Sequence, residues 1–162
     1  MAHLRDVIAY IIKSYPTALR HELSNARLTK MIYLADWHQA INHRRQISNI
    51  KWYFDNYGPF VNDVKKEAEK NSDLFDVNSD KNMYGQKKAV FSLKNENYQP
   101  KLNVEERASI DRVVEATRKI YWDDFIKLVY STHPITSSER YSYLDLVGKA
   151  EEYREQKYSM AQ

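Results

Sequence analysis

The segment from Leu28 to Val64 constrains the fold more than any other part of the chain. Its first half places apolar residues on two faces of one helix, a pattern typical of a helix that is buried all round. The first face carries Leu28, Met31, Ile32 and Ala35, and the second carries Leu34, Trp37 and Ile41. Apolar residues then alternate at Ile50, Trp52 and Phe54, which predicts a short strand. We therefore expect a central helix with a strand packed beside it.

The rest of the chain predicts further helices and one hairpin. Helical spacing over residues 4–15 ends at Pro16, and Gly58-Pro59 predicts a turn followed directly by another helix. Two short strands are predicted at 74–77 and 89–93, with an exposed loop, 78–88, between them. The last three helices begin at the capping pair Asn103 and Glu106, at Trp122-Asp123-Asp124, and at about Ser138, the final one running to about Gln156.

These elements predict an α+β fold that is mostly α-helical. Central helices would carry a small antiparallel β element, made of a strand plus a β-hairpin. The order of the four central elements resembles that of a winged-helix core. We expect one domain over residues 1–157 and a frayed tail at 158–162, because the sequence contains no repeat and no linker rich in Gly, Pro or Ser.

Composition argues against most kinds of enzyme site. The chain has no cysteine, which excludes thiolate zinc sites, thiol nucleophiles and disulfides. Its three glycines are too few for a phosphate-binding loop. His21-Glu22 starts an HExxH zinc motif, but Asn25 stands where the second histidine should be. We expect no catalytic residues, no metal and no cofactor, and the charged N-terminal helix predicts a cytoplasmic protein without a membrane span.

Aromatic and basic residues point instead to binding. The 13 tyrosines, 3 tryptophans and 5 phenylalanines of this hydrophilic chain favour a protein interface, where rings with polar tips are enriched. Arg44-Arg45 near Trp52-Tyr53 would also suit nucleic acid. Against it, acidic residues accompany Lys65 and Lys66 on the would-be recognition helix and would repel phosphates.

Three motifs resemble those of the Panacea domain, the SocA-like antitoxin family. The first is Lys30-Met31-Ile32-Tyr33-Leu34-Ala35-Asp36. The second combines Ile47-Ser48, Trp52-Tyr53-Phe54 and Gly58-Pro59, and the third runs from Asp124 through Ser131-Thr132-His133 to Pro134. The chain departs from the family in the stretch His43 to Asn49, which lacks both glycines and the proline commonly found there, and at Val61, where a proline is expected.

The resemblance implies an antitoxin-like protein that neutralises a cognate toxin by direct protein contact, without enzymatic activity. One member of the family instead acts as a proteolytic adaptor that delivers its toxin to a protease, and a winged-helix-like DNA-binding regulator is the other alternative. The toxin, the oligomeric state and a phage or other mobile-element origin are left open by the sequence.

Two sets of residues are singled out, the first by the resemblance and the second because exposed rings and loops are expected there. Those expected to hold the fold are Lys30, Tyr33, Asp36, Trp52, Gly58, Pro59 and His133. Within this set, Lys30 and Asp36 are expected to bind the Gly58-Pro59 turn, since they are too far apart to pair with each other. The residues expected to contact a partner are Arg44, Arg45, Tyr53, Tyr57, Tyr84, Lys87 and Lys88.

Overall fold

Helices form most of the protein, as predicted, and two small antiparallel sheets complete it. The computed structural model describes residues 1–81 and 87–161. The helices are α1 (Leu4–Ser14), α2 (Asn25–His43), α3 (Asp63–Lys70), α4 (Val104–Thr117), α5 (Trp122–Tyr130), α6 (His133–Thr136) and α7 (Leu146–Ala161), with a 3₁₀ helix at Thr17–Glu22. The strands are β1 (Phe54–Asp55), β2 (Gly58–Pro59), β3 (Phe75–Lys81) and β4 (Lys87–Leu93).

Helix α2 is the central element, as its two apolar faces predict. It is buried along most of its length and packs against α4 and α7. Ser24 caps its first turn by accepting a hydrogen bond from the Arg27 N–H at 3.2 Å. Arg44 ends the helix in the left-handed conformation, with φ at 60°.

The β3–β4 hairpin lies against the N-terminal end of α2. Its register runs from Phe75 opposite Leu93 to Lys81 opposite Lys87, and Ser24 bridges Val90 on the other edge of β4. The strands therefore extend into the predicted loop 78–88. Polar residues at these positions pair through their backbones, which the apolar alternation used for the prediction does not detect.

Gly58-Pro59 does not begin a helix, so that prediction is wrong. Both residues form β2 and pair with Asp55 and Phe54 across a two-residue turn, and α3 begins only at Asp63. The φ of proline suits a strand edge as well as a first helical turn, and the pairing with β1 decides between them. Gly58 takes φ +96°, a conformation that favours glycine.

The last helix begins at Leu146, later than predicted. The residues before it, 141–144, run antiparallel along Trp52 to Phe54, with Tyr141 left-handed and 142–144 extended. Three backbone hydrogen bonds join the two segments: Tyr141 N to Phe54 O at 2.6 Å, Phe54 N to Ser142 O at 2.9 Å, and Leu144 N to Trp52 O at 2.8 Å. Neither segment alone is long enough to be stable, and each supplies the other's hydrogen bonds.

The winged-helix resemblance is limited to the order of the elements along the chain, because the strands are paired differently. Strand β1 pairs with β2 and with the 141–144 segment, whereas β3 and β4 form a separate sheet.

Helix α4 begins as predicted, since the Asn103 side chain accepts from the Glu106 N–H and the Glu106 carboxylate accepts from the Asn103 N–H.

Candidate functional site

Asp36 holds the chain that leaves α2. It is fully buried, and its Oδ1 accepts hydrogen bonds from the backbone N–H groups of Ile47 and Ser48 at 2.9 and 3.0 Å. Its Oδ2 accepts from the Ser48 hydroxyl at 2.6 Å and from the Trp52 indole N–H at 2.9 Å. The carboxylate therefore binds the 47–48 turn and Trp52, and not the Gly58-Pro59 turn that the sequence analysis expected.

Burial raises the pKa of Asp36 to about 6 from an ordinary value of 3.8. The hydrogen bonds from Ser48, Trp52 and Ile47 act in the opposite direction, because they favour the ionised form. Gln46 Nε2 also donates to Oδ2 at 3.4 Å, and the side chain has no access to solvent. Asp36 thus acts as a structural anchor for the second motif.

Tyr33 and Trp52 join this anchor to the third motif. Their rings meet edge to face, with centroids 5.5 Å apart. The Tyr33 hydroxyl shares a 2.8 Å hydrogen bond with the Thr132 hydroxyl, directly before His133. Burial raises the pKa of Tyr33, so its hydroxyl keeps its proton at ordinary pH. These contacts place the strand segment between α2 and the α5–α6 junction.

Lys30 lies beneath the β1–β2 hairpin. Only 2% of the residue is exposed, and its ammonium lies 5.5 Å from the centre of the Phe60 ring. Burial lowers the pKa of Lys30 to about 8, and the nearby Asp55 opposes this. Lys30 therefore lies near Asp55 and Phe60, on either side of the Gly58-Pro59 turn, and its binding to that turn stays a prediction.

We call Lys30, Tyr33, Asp36, Trp52, Gly58, Pro59 and His133 the motif core. Two of these residues, Gly58 and His133, lie where neighbouring elements meet. A Cβ on Gly58 would lie 3.2 Å from Cε2 of Tyr130, so this residue allows α5 to approach the hairpin. His133 Nε2 lies 3.0 Å from the Glu152 carboxylate, which ties α6 to α7. The hydrogen bond from His133 lowers the pKa of Glu152.

The structure separates the residues expected to contact a partner. Arg44 lies at the C-terminal end of α2, in a cleft of about 520 Å³ between that end and α7, and Arg45 lies 3.6 Å from the Glu105 carboxylate. Lys88 lies in β4, beside the opposite end of α2. A 19-residue helix is about 28 Å long, so these basic residues do not form one surface. Tyr84 and the side chain of Lys87 lie outside the described residues.

Tyr53 and Tyr57 belong to a cluster that the sequence analysis did not anticipate. The ring of Tyr53 lies 5.2 Å from that of Tyr143, and the Tyr141 hydroxyl donates a hydrogen bond to Asn56 in the β1–β2 turn. Tyr57, Tyr143 and Tyr141 are 80%, 74% and 61% exposed. We call Tyr53, Tyr57, Tyr141 and Tyr143 the tyrosine patch.

The prediction of a helix from Ser138 overlooks the alternation of exposed and buried residues that forms this patch. In the sequence Tyr141-Ser142-Tyr143-Leu144, the residues at 141 and 143 are exposed and Leu144 is buried. This period of two is the signal of a half-buried strand. It is too short to distinguish from part of a helix without the partner segment at Trp52 to Phe54.

Neither metal binding nor a membrane span finds support in the described ranges. Within residues 1–81 and 87–161, no group of three or more His, Cys, Asp or Glu side chains is placed to hold a metal ion. The same residues contain no helix of the length and apolarity needed to cross a membrane.

A family model described as antitoxin SocA-like, Panacea domain, matches residues 28–134. The match covers about two thirds of the chain and contains all three motifs, which confirms the resemblance found in the sequence. It begins within the first turn of α2 and ends at Pro134, so Tyr53 and Tyr57 lie inside it and Tyr141 and Tyr143 lie beyond it. No curated protein and no solved structure matches the chain.

Proposed function

Because the chain belongs to the SocA-like antitoxin family, Panacea domain, we propose that it is an antitoxin that neutralises a cognate toxin by direct protein contact in the cytoplasm. The match over residues 28–134 carries this proposal. The match runs from α2 through both hairpins and α3 to α4, α5 and the start of α6. It therefore contains the elements that position the motif residues.

The motif residues support a binding role over an enzymatic one. Asp36 and Tyr33 are fully buried and hydrogen-bonded to neighbouring segments of the chain. Trp52 is buried between them, and Lys30 is covered by the hairpin. A catalytic group must reach its substrate, and these side chains face protein instead. Their arrangement supports the interpretation that the motifs maintain a scaffold whose surface does the binding.

Helix α3 supports a protein partner over DNA. In a winged-helix regulator, a helix at this place in the order would enter the major groove and meet phosphates on both sides. Here α3 carries Asp63, Glu67 and Glu69 beside its three lysines, and Lys65 lies 4.0 Å from the Glu69 carboxylate. The acidic side chains would repel the DNA backbone.

Co-expression with the product of the neighbouring gene tests the proposal. We expect that gene to stop growth of a bacterial host when expressed alone, and this protein to restore growth and to co-purify with the toxin. A control strain would carry Trp52→Ala, which removes a large buried ring and costs about 3–5 kcal/mol of stability. A toxic neighbour that is neither bound nor neutralised would contradict the proposal.

The same strains distinguish binding from delivery to a protease. A neutralising binder leaves the half-life of the toxin unchanged or lengthens it. An adaptor shortens that half-life, and deletion of the responsible host protease restores it. We expect the first result, measured by following the tagged toxin after translation is stopped.

A further inference from the structure

Two segments distant in sequence bring the tyrosine patch together. Tyr53 and Tyr57 come from the β1–β2 hairpin, and Tyr141 and Tyr143 come from the extended segment before α7. Tyr53 bridges Tyr143 directly, while Tyr141 donates to Asn56. Three of these rings are more than half exposed although apolar area in water is unfavourable. Exposed clusters of this kind mark interaction sites.

The backbone holds these rings in place before any partner binds. Tyr141 has φ +67°, a conformation that is uncommon for a residue with a side chain. Its N–H bonds to Phe54 and its hydroxyl to Asn56, so it is fixed at both ends. Tyrosine has few rotatable bonds, and a fixed backbone reduces the entropy lost on binding further.

The charges around the patch indicate what it can bind. Lys51 and Asp145 are both exposed, stand two residues from Tyr53 and Tyr143 in the sequence, and carry opposite charges, so that together they add no net charge to the rim. At the rim, the Arg140 guanidinium lies 5.4 Å from the centre of the Phe54 ring. The centre of the patch consists of neutral rings with hydroxyl tips. Such a surface fits apolar side chains and main-chain polar groups of a protein, and fits the phosphates of a nucleic acid poorly.

We propose that the tyrosine patch contacts the toxin and that it binds an uncharged, apolar segment of that protein. This inference rests on the proposed function and specifies its contact surface. Half of the patch lies inside the region that the family model matches and half lies beyond it. The interface therefore combines the family's hairpin with a segment outside the matched region.

The test compares two pairs of tyrosines in complexes with the product of the neighbouring gene. The double variant Tyr57→Ala and Tyr143→Ala removes two exposed rings of the patch. The matched control, Tyr121→Ala and Tyr158→Ala, removes rings that are 83% and 69% exposed at the start of α5 and near the end of α7. Buried tyrosines at interface centres each contribute about tenfold or more in affinity. We expect the patch variant to raise Kd about 100-fold and the control to change it less than about twofold.

Four results would overturn the inference. If the wild type binds and neutralises the toxin while the patch variant does so equally well, the proposed function stands and the patch is not the contact surface. If the control weakens binding instead, the contact lies near the ends of α5 or α7, the latter beside Arg44. If light scattering shows that the wild-type chain alone is a dimer and that the patch variant is a monomer, the patch binds a second copy of the chain. A wild type that binds no toxin removes the proposed function and this inference together.

Salt and folding measurements complete the test. An uncharged contact predicts that Kd changes less than about threefold when the ionic strength is raised about tenfold. If the toxin instead bound through Arg44 and Arg45, the same change would raise Kd steeply. Arg44→Glu provides the comparison. Thermal unfolding checks that the variants fold, and Tyr57→Ala alone, in the exposed hairpin turn, serves if the double variant is unstable.

Discussion

Replacement of Asp36 by asparagine should change how the stability of the protein depends on pH. Asp36 has a pKa of about 6 in the folded protein, because burial raises it from 3.8. Since 1.4 kcal/mol corresponds to a tenfold change in an equilibrium constant, this rise favours the protonated folded form by about 3 kcal/mol. The stabilisation is fully present below pH 3.8 and is lost as the pH rises through about 6.

The expected result is a difference between two unfolding free energies. Asparagine is similar in size and does not titrate, so the wild-type value minus the Asp36→Asn value isolates this group. That difference should decrease by about 2 kcal/mol between about pH 4.5 and about pH 7. At low pH the added proton finds a partner in the Ser48 hydroxyl, 2.6 Å from Oδ2, since a hydroxyl can reverse its direction.

Urea unfolding followed by circular dichroism, at several pH values, measures both proteins. A difference that increases with pH would refute the reasoning, because it would show that the hydrogen bonds to the carboxylate outweigh burial and lower the pKa of Asp36. A flat difference would show that the folded and unfolded pKa values are equal. Titration of the Asp36 carboxyl carbon by NMR would then give the folded value directly.

Two further predictions concern stability. Gly58→Ala should cost about 1–3 kcal/mol, because φ +96° is strained for alanine and the new Cβ would lie 3.2 Å from Tyr130; thermal unfolding should show a lower Tm than for the wild type, and equal Tm values would contradict this. Asn103→Ala should cost about 1 kcal/mol by removing the capping box of α4, and urea unfolding that shows no loss would mean that the Glu106 side chain alone satisfies the helix start.

The sequence predicted the central helix and the covered side of the strand segment because these signals are local. Two apolar faces identified α2 as the buried helix, and alternation placed Trp52 and Phe54 on the covered side of the strand segment. The partners of Asp36 could not be predicted in the same way. They depend on how the 44–48 turn returns along α2, and the left-handed Arg44 that starts this turn is not a residue typical of that conformation.

The tyrosine patch was missed because its pairing is non-local. Residues 142–144 are extended because Trp52 to Phe54, about ninety positions earlier in the chain, offer them hydrogen bonds. Local spacing from Ser138 onward fits a helix as well. Pro59 was assigned to a helix for a related reason, since its φ is compatible with both structures and the pairing with Phe54 settles which one forms.

The motif core and the tyrosine patch are two faces of one strand segment. Trp52 and Phe54 point inward, where Trp52 donates to Asp36, and Tyr53 between them points outward to Tyr143. A period of two therefore couples the scaffold to the proposed contact surface. Variants of the core should displace the patch, so that stability and toxin affinity decrease together. Variants at Tyr57 and Tyr143 should lower affinity alone, which would allow the partner to change while the scaffold is kept.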